Sequence, residues 1–159
     1  MKGLLVVLGL SLSVYAGMAN ARELRVTEEE EYCLALNDYY EARGEPIEGR
    51  LAVAHVVLNR VSQGLHGAST ICEVVSYKAN GRCAFSWACD RYAIRENDSW
   101  EASVSFARKF LRSDRWQADP TAGALQYHEA SIVPYWAKEY EFNIVIGDHV
   151  FYPKQIARR

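Results

Sequence analysis

Glu41 is the side chain whose place in the sequence best fits catalysis by a carboxylic acid. It lies in the stretch Tyr39–Glu45, where one helical pattern ends and the next begins. Gly44 predicts a left-handed residue that closes the first helix, and Pro46 suits the first turn of the second helix. Glu41 would then occupy a last helical turn, where the helix dipole disfavours negative charge and raises the pKa of a carboxyl group. A carboxylic acid kept protonated at a cleft is the reagent needed to break a glycosidic bond.

The composition is that of an ordinary globular protein. The chain has 159 residues, which suggests a single domain with one core. Its formal charge of −2 gives no strongly basic surface, so we expect no nucleic-acid partner. Ten tyrosines and four tryptophans would suit a carbohydrate-binding groove, although large cores also use such residues.

The first residues have the pattern of a secretory signal peptide. Lys2 is a short positive segment, and an apolar run from Leu4 to Val14 follows it. Ala19-Asn20-Ala21 has the small-x-small form of a signal-peptidase site, so we predict cleavage after Ala21. The apolar run is short for a membrane span. The prediction is an exported protein of the periplasm, extracellular space or cell wall, consisting of residues 22–159 and without a membrane span after processing.

Four cysteines in an exported chain predict disulfide bonds. Four cysteines allow three pairings, and we favour Cys33–Cys72 with Cys83–Cys89. The first bond would tie the first helix to a later turn, and the second would close a small loop. A cysteine metal site is disfavoured, because the spacings are irregular and no CxxC pair is present.

Hydrophobic periodicity predicts two helices on either side of Glu41. The first runs from Glu28 to Arg43 and starts with a capping box, in which Thr27 is the N-cap and Glu30 reaches back. The acidic run at its start is interpreted as a solvated first turn. The second helix runs from Pro46 to Ser62 and is apolar nearly all round, which predicts that it forms the centre of the domain. His55 within it is interpreted as a hydrogen-bonded core residue.

The second half of the chain predicts irregular loops, one helix and a few strands. Ile71–Val75 is a short helix or strand, and Ala84–Ala88 is a short strand. A third helix starts at Asp98, and Ala124–His128 is a strand. A hairpin follows at Asn143–Tyr152, with Gly147-Asp148 as its turn.

Ten blocks of the sequence occur in the same order as in a known family. They are Tyr40–Pro46, Gly49–Val53, Val56–Val61, Ile71–Val75, Cys83–Trp87, Cys89–Asp90, Asp119–Ala124, Tyr127–His128, Pro134–Ala137 and Ile146–Tyr152. Through these blocks the chain resembles the SleB-type cell wall hydrolases, also called spore-cortex-lytic-type hydrolases. Each block alone is weakly specific, but the ordered set is strongly specific. The resemblance extends from about Tyr32 to Tyr152.

The resemblance implies a lysozyme-like α+β fold in one catalytic domain, with a mainly helical lobe and a small β lobe. It implies a lytic transglycosylase that acts on peptidoglycan glycan strands. We expect no cofactor and a monomeric protein. The bond would be that between N-acetylmuramic acid and N-acetylglucosamine, and Glu41 matches the family's catalytic glutamate. One position departs from the family pattern: Ala84 stands where a glutamine is common, so affinity or specificity would differ if that glutamine contacts sugar or packs the cleft.

One carboxyl group suffices for a lytic transglycosylase, whereas a glycosidase that uses water usually needs two. Glu45 is the competing acid, but it immediately precedes Pro46 and is expected to cap the second helix. Glu48 is expected to face solvent. We therefore prefer Glu41, mainly on the resemblance. Hydrolytic cleavage of the same bond by a muramidase of this fold remains the alternative.

Several further side chains in the matched blocks are candidates for holding the glycan. They are Ser86, Trp87, Tyr127, His128 and Trp136, with His149 as a further polar candidate. For each of them, a structural role in the core is the competing interpretation. Arg43 would either hold a lactyl or peptide carboxylate or form an ion pair within the fold, and the ion pair is favoured.

Two other classes of function compete with a glycosidic-bond-cleaving enzyme. A metal-dependent amidase would need ligands among the histidines, which are His55, His66, His128 and His149, but no HExxH motif or other ligand spacing is present. We therefore predict no metal. A wall-binding module without turnover is the second alternative, and the intact segment around Glu41 argues against it.

Overall fold

The described part of the chain forms helices and small antiparallel sheets. The structure is a computed structural model that describes residues 26–90, 93–94, 98–113, 118–140 and 143–153. The helices are α1 (Glu28–Glu41), α2 (Ile47–Ser62), α3 (Ile71–Val75), α4 (Ser86–Asp90) and α5 (Asp98–Arg112). The strands are β1 (Lys78–Ala79), β2 (Arg82–Cys83), β3 (Gln126–Glu129), β4 (Ile144–Ile146) and β5 (His149–Tyr152). Short 3₁₀ segments lie at Leu65–Gly67 and Tyr135–Glu139. The predicted signal peptide lies outside the described residues.

Helix α1 begins as predicted but ends two residues earlier, at Glu41. Thr27 is the N-cap, and its hydroxyl oxygen accepts a hydrogen bond from the backbone N–H of Glu30 at 3.2 Å. The predicted left-handed conformation of Gly44 is wrong, because this glycine is not among the residues with positive φ. Backbone hydrogen bonds close the turn instead, from Ala42 N–H to the Asp38 oxygen and from Glu45 N–H to the Ala42 oxygen.

The acidic first turn of α1 is half buried, which corrects the prediction of a solvated turn. Glu30 is 7 % exposed and Glu31 is 6 % exposed. The Glu30 carboxylate accepts from the backbone N–H of Ile71 at 2.7 Å, so it caps α3 and does not reach back to Thr27. The Glu31 carboxylate pairs with two arginines of α5, Arg108 and Arg112. These acids connect α1 with its two neighbours, because α1 packs against both α3 and α5.

Helix α2 lies at the centre of the described domain, as its apolar sequence predicts. Val53, Val56 and Val57 are fully buried. Its first turns are tied to α1 by Arg50, whose Nε donates to Asp38 Oδ1 at 2.9 Å. His55 is 5 % exposed and its ring lies edge-on to Phe110, so the interpretation of His55 as a core residue is confirmed.

The two predicted disulfide bonds are present in the structure. Cys33–Cys72 joins α1 to α3 over a sequence separation of 39, and Cys83–Cys89 joins β2 to α4. By the chain-entropy account, closing a loop of that first length stabilises the fold by about 3–4 kcal/mol. The strand predicted at Ala84–Ala88 is wrong. Residues Ser86–Asp90 form the short helix α4 instead, and this helix buries Trp87 in the core.

The small β lobe packs on the side of α2. Strands β3, β5 and β4 form an antiparallel sheet in that order, with Tyr127 opposite Phe151 and Ile146 opposite His149. The hairpin of β4 and β5 turns at Gly147-Asp148, as predicted. Phe151 is fully buried against α2 residues such as Val53. The sheet therefore presents one face, which includes Tyr127, to the helical lobe.

These elements make an α+β domain with a mainly helical lobe and a small β lobe, as expected. None of the helices that the structure describes is long and apolar enough to cross a bilayer.

Candidate active site

The Glu41 carboxylate lies at the contact between the two lobes. Glu41 is the last residue of α1, and its side chain is partly buried. The Tyr127 hydroxyl, from β3, donates a hydrogen bond to Glu41 Oε2 at 3.0 Å. The two residues are separated by 86 positions, so the site exists only once the sheet has docked on the helices.

Burial raises the pKa of Glu41, because it removes water that would stabilise the charged form. The Tyr127 hydrogen bond opposes this shift, and so do the nearby His149 ring and the Arg60 guanidinium. From the sequence, the helix dipole was expected to be the cause of a raised pKa. The direction was predicted from the sequence, but the physical cause in the structure is burial between the lobes.

Tyr127 is held rigidly by its neighbours. Its ring stacks on Phe151 at 5.5 Å and meets the His149 ring edge-on at 5.3 Å. Burial and the Glu41 charge raise the pKa of Tyr127 well above its usual value, so the hydroxyl remains a hydrogen-bond donor. Tyr127 is one of the side chains expected to contact substrate, and the structure places its hydroxyl directly on the candidate acid.

Trp87 also adjoins Glu41. Its indole N–H approaches the carboxylate and lowers the pKa of Glu41, although the geometry is poorer than that of a standard hydrogen bond. The indole stacks on Tyr40 at 5.1 Å, one residue before Glu41. Trp87 is 8 % exposed and belongs to the core, whereas Ser86, at the start of α4, is exposed. Helix α4 and its disulfide to β2 therefore form one wall beside the acid.

Glu45 occupies a closed structural site, which corrects the expectation that it caps α2. The N-cap of α2 is Pro46 and no side chain caps it. Glu45 Oε2 instead accepts from the backbone N–H of Asp148 at 3.1 Å, and Oε1 lies 3.3 Å from His149 Nδ1. A Cβ built on Gly147 would lie 1.9 Å from Glu45 Oε2, so only glycine leaves room for this carboxylate.

His128 and Trp136 form an aromatic cluster that is separate from the contacts of Glu41. His128 Nε2 lies 2.9 Å from the Tyr152 hydroxyl, and its Nδ1 lies 2.8 Å from the Glu129 carbonyl oxygen. The Trp136 ring meets the His128 ring at 5.7 Å and the Tyr152 ring at 5.3 Å. Adjacent residues of a strand point to opposite faces, so His128 and Tyr127 face opposite sides of the sheet.

Arg60 is a residue of the site that sequence reasoning missed. It lies in the last turn of α2 and is 8 % exposed. Its Nε donates to the Leu125 carbonyl oxygen at 2.9 Å, and its guanidinium lies 5.2 Å from the centre of the Phe85 ring. Its sequence signal is weak, because an arginine near a helix C-terminus is usually a surface partner of the helix dipole.

The remaining polar candidates have structural contacts. Arg43 donates to the Tyr39 carbonyl oxygen at 2.7 Å and lies over the Tyr39 ring, so the favoured interpretation of an ion pair is not what the described contacts show. Glu48 is exposed, as expected. Within the described ranges, no group of three or more His, Cys, Asp or Glu residues is arranged to hold a metal ion.

A family model described as cell wall hydrolase matches residues 44–152. The matched region contains Tyr127, Trp87, Arg60 and Glu45, and Glu41 lies just before its first residue. A comparison with curated protein sequences gives no match.

Two solved structures share the fold. One is the catalytic domain of the germination-specific lytic transglycosylase SleB from Bacillus anthracis, with 28% identity and a TM-score of 0.58, covering 80% of this chain and 96% of that one. The other is the catalytic domain of the Bacillus cereus SleB protein, with 27% identity and a TM-score of 0.58, covering 86% of this chain and 99% of that one. The predicted lysozyme-like α+β fold is therefore confirmed.

Proposed function

The chain belongs to the cell wall hydrolase family, and we propose that it is a lytic transglycosylase with Glu41 as its catalytic acid and base. It acts on peptidoglycan and cuts the glycosidic bond between N-acetylmuramic acid and N-acetylglucosamine. The observation that carries the proposal is the buried, tyrosine-bonded carboxyl group of Glu41 at the contact between the lobes. The likeness to a catalytic domain described as a lytic transglycosylase supports the reaction type.

In the first step, the protonated Glu41 donates its proton to the oxygen that links the two sugars. The bond between that oxygen and C1 of the muramyl residue breaks, and N-acetylglucosamine leaves with a 4-hydroxyl group. Burial supports this step because it raises the pKa of Glu41 and so keeps more of the acid protonated near neutral pH.

In the second step, the Glu41 carboxylate removes the proton from the 6-hydroxyl of the same muramyl residue. The 6-oxygen forms a bond to C1, which closes a 1,6-anhydro ring and returns Glu41 to its protonated form. Between the steps the negative charge on Glu41 is stabilised by the Tyr127 hydroxyl and by the Arg60 charge. The same contacts that moderate the pKa of the acid therefore stabilise the base.

Other side chains take supporting roles in this proposal. Trp87 and Tyr127 fix the position of Glu41 and face the reacting sugars, and the exposed Ser86 contacts the glycan beside them. His128 and Trp136 hold a more distant sugar, since they lie in the separate aromatic cluster.

The proposed mature protein is a monomer of residues 22–159 that works outside the cytoplasm. Peptidoglycan lies there, and the two disulfide bonds form in oxidising compartments.

The experiment that tests the function is digestion of purified peptidoglycan by the mature protein and by Glu41→Gln. Mass spectrometry identifies the new ends. We expect 1,6-anhydro-muramic ends with the wild type and none with Glu41→Gln. Reducing muramic ends would instead establish hydrolysis by water, and freed peptides with intact glycan would establish an amidase. Absence of any product from the wild type would contradict the proposed enzyme.

A further inference from the structure

A cavity of about 580 Å³ beside the Glu41 site is lined by positive charge. Arg60 and Arg82 line it, and no aspartate or glutamate is among its lining residues. The whole chain carries a formal charge of −2, so the basic character of this cavity is local and not a consequence of composition. A cavity of this charge and size fits an anionic organic group.

The Arg60 guanidinium is only partly satisfied by the protein. A guanidinium has five N–H donors, and the described residues accept one of them, at the Leu125 carbonyl oxygen. No carboxylate of the described residues lies within ion-pair distance of this nearly buried side chain. Burying a cation with no carboxylate in direct contact is costly, so the arrangement favours an anion that enters the cavity and pairs with Arg60 directly.

We propose that this cavity binds the carboxylate-bearing stem peptide of the muramyl residue whose glycosidic bond is cut. The inference rests on the proposed function, because it takes Glu41 as the cleavage point. Arg60 is tied to the Glu41 site by geometry, because it donates to the Leu125 carbonyl oxygen, two residues before the Tyr127 whose hydroxyl donates to Glu41. The stem peptide branches from the same sugar ring that Glu41 attacks, so a group attached to that ring reaches Arg60.

The rest of the cavity suits a peptide better than a lone carboxylate. The His66 and Tyr77 rings are stacked at 4.2 Å and form a flat wall. Tyr135, which is 80 % exposed, stands at the rim. His66 has a φ of 57°, a strained conformation for a residue other than glycine, and such strain is concentrated at binding sites. A peptide carboxylate would pair with Arg60 and Arg82 while its backbone lies along these rings.

The test is calorimetric binding to the Glu41→Gln variant, which separates binding from turnover. Three soluble ligands share one saccharide of alternating N-acetylglucosamine and N-acetylmuramic acid. The first carries stem peptides, the second carries stem peptides whose carboxylates have been converted to amides, and the third has no peptides and therefore free lactyl carboxylates. We expect the first ligand to bind about 10- to 100-fold more tightly than the second, as removal of a charge-assisted hydrogen bond predicts. The third should bind more weakly than the first.

The variant that carries the test is Arg82→Gln in the same background, because Arg82 is exposed and its loss leaves the core intact. It should weaken binding of the first ligand by about 2- to 5-fold and leave the second unchanged. Lys109→Gln, which removes one exposed positive charge from α5, is the matched control and should change neither. Arg60→Lys keeps the positive charge but loses the planar set of donors with which a guanidinium pairs with a carboxylate. Thermal melting checks that this variant folds.

Equal affinity for the first two ligands would overturn the proposal, and so would an equal effect of Arg82→Gln on both. Equal affinity for the first and third would assign the cavity to the lactyl carboxylate and also overturn it. The proposed function fails separately: a wild type that binds the first ligand selectively but cuts no glycan would keep this inference and remove the transglycosylase.

Discussion

Glu41 and Glu45 lie four positions apart in the sequence, yet their carboxylates meet different surroundings. Glu41 has one hydroxyl partner, Tyr127, and keeps part of its surface exposed at the contact between the lobes. The Glu45 side chain is 7% exposed and is enclosed by the hairpin turn, where the Asp148 N–H and the His149 ring contact its two oxygens.

The two carboxylates differ in whether a substrate can reach them and exchange a proton with them. Glu45 is fixed by a backbone donor and has no room beside Gly147 and Gly49, so a substrate atom cannot replace its partners. Glu41 is partly exposed and has a raised pKa, so it can exchange a proton with a bound substrate. Proximity in the sequence therefore does not make these acids a catalytic pair. One is proposed as the reagent, and the other holds the β lobe against the start of α2.

The largest expected effect is the loss of activity in Glu41→Gln. Glutamine keeps the shape but cannot donate or accept the catalytic proton, so the cleavage rate should fall by about 10²- to 10⁴-fold. Stability should not fall at neutral pH. The raised pKa means that the folded state loses stability as pH rises from the unfolded pKa through the folded one, and glutamine removes that loss. Release of soluble glycan and thermal melting measure the two quantities. A variant that retains wild-type activity would remove Glu41 from the mechanism.

The second effect is destabilisation by Gly147→Ala. A positive φ costs an alanine about 1–2 kcal/mol, and displacing the Glu45 carboxylate should add about 1–3 kcal/mol. Gly64→Ala is the matched control, because Gly64 has the same φ of 59° and its added Cβ meets nothing closer than 4.0 Å. Denaturant unfolding of both variants gives the difference. Equal losses in the two variants would show that Glu45 is not held tightly.

The third effect is the loss of stability in Glu45→Gln, with cleavage activity reduced by less than about 10-fold. The amide oxygen accepts from the Asp148 N–H less strongly than a carboxylate does, and weakening such a charge-assisted hydrogen bond costs about 1–3 kcal/mol. Glu48→Gln removes an exposed carboxylate from the first turn of α2 and should leave the unfolding midpoint within error. If Glu45→Gln abolished cleavage while the fold stayed intact, the division of roles would be wrong.

The smallest effect is that of Tyr127→Phe on the pH dependence of cleavage. The Tyr127 hydrogen bond lowers the pKa of Glu41, so its removal should raise that pKa further. The alkaline limb of kcat/KM should move to higher pH, and the rate should fall about 10-fold because the carboxylate loses its donor. Tyr152→Phe removes a hydroxyl that contacts His128 and should leave the limb in place. A shift to lower pH in Tyr127→Phe would contradict the assigned hydrogen bond.

Local sequence signals were sufficient for most elements of the fold. Thr27 predicted the start of α1, the apolar run predicted the buried α2, and Gly147-Asp148 predicted the hairpin turn. The signals failed where a tertiary partner decides the outcome. The Glu30 carboxylate binds the N-terminus of α3, and the Glu31 carboxylate pairs with two arginines of α5. The local sequence pattern around these glutamates predicts neither partner.

The candidate site was only partly predictable for the same reason. Glu41 was predicted as the acid from its segment and from the family resemblance. Tyr127 was predicted as a glycan contact because it lies in a matched block. Arg60 and the contact of Glu45 with His149 depend on docking of the β lobe, which places residues about 65–100 positions apart side by side. An arginine in a last helical turn, such as Arg60, more often interacts with the helix dipole at the surface. A glutamate before a proline, such as Glu45, more often caps the following helix.

The central claim is that Glu41, not Glu45, is the protonated acid, and the most direct measurement is its titration by ¹³C NMR. Glutamate side-chain carboxyl carbons are labelled, and the Glu41 signal is identified by its absence from Glu41→Gln. We predict that this signal titrates above the usual 4.5 of a glutamate and at the pH of the alkaline limb of kcat/KM. The claim would be contradicted by a Glu41 signal that titrates at or below 4.5. It would also be contradicted if the pH of the alkaline limb of kcat/KM matched the titration of a different glutamate.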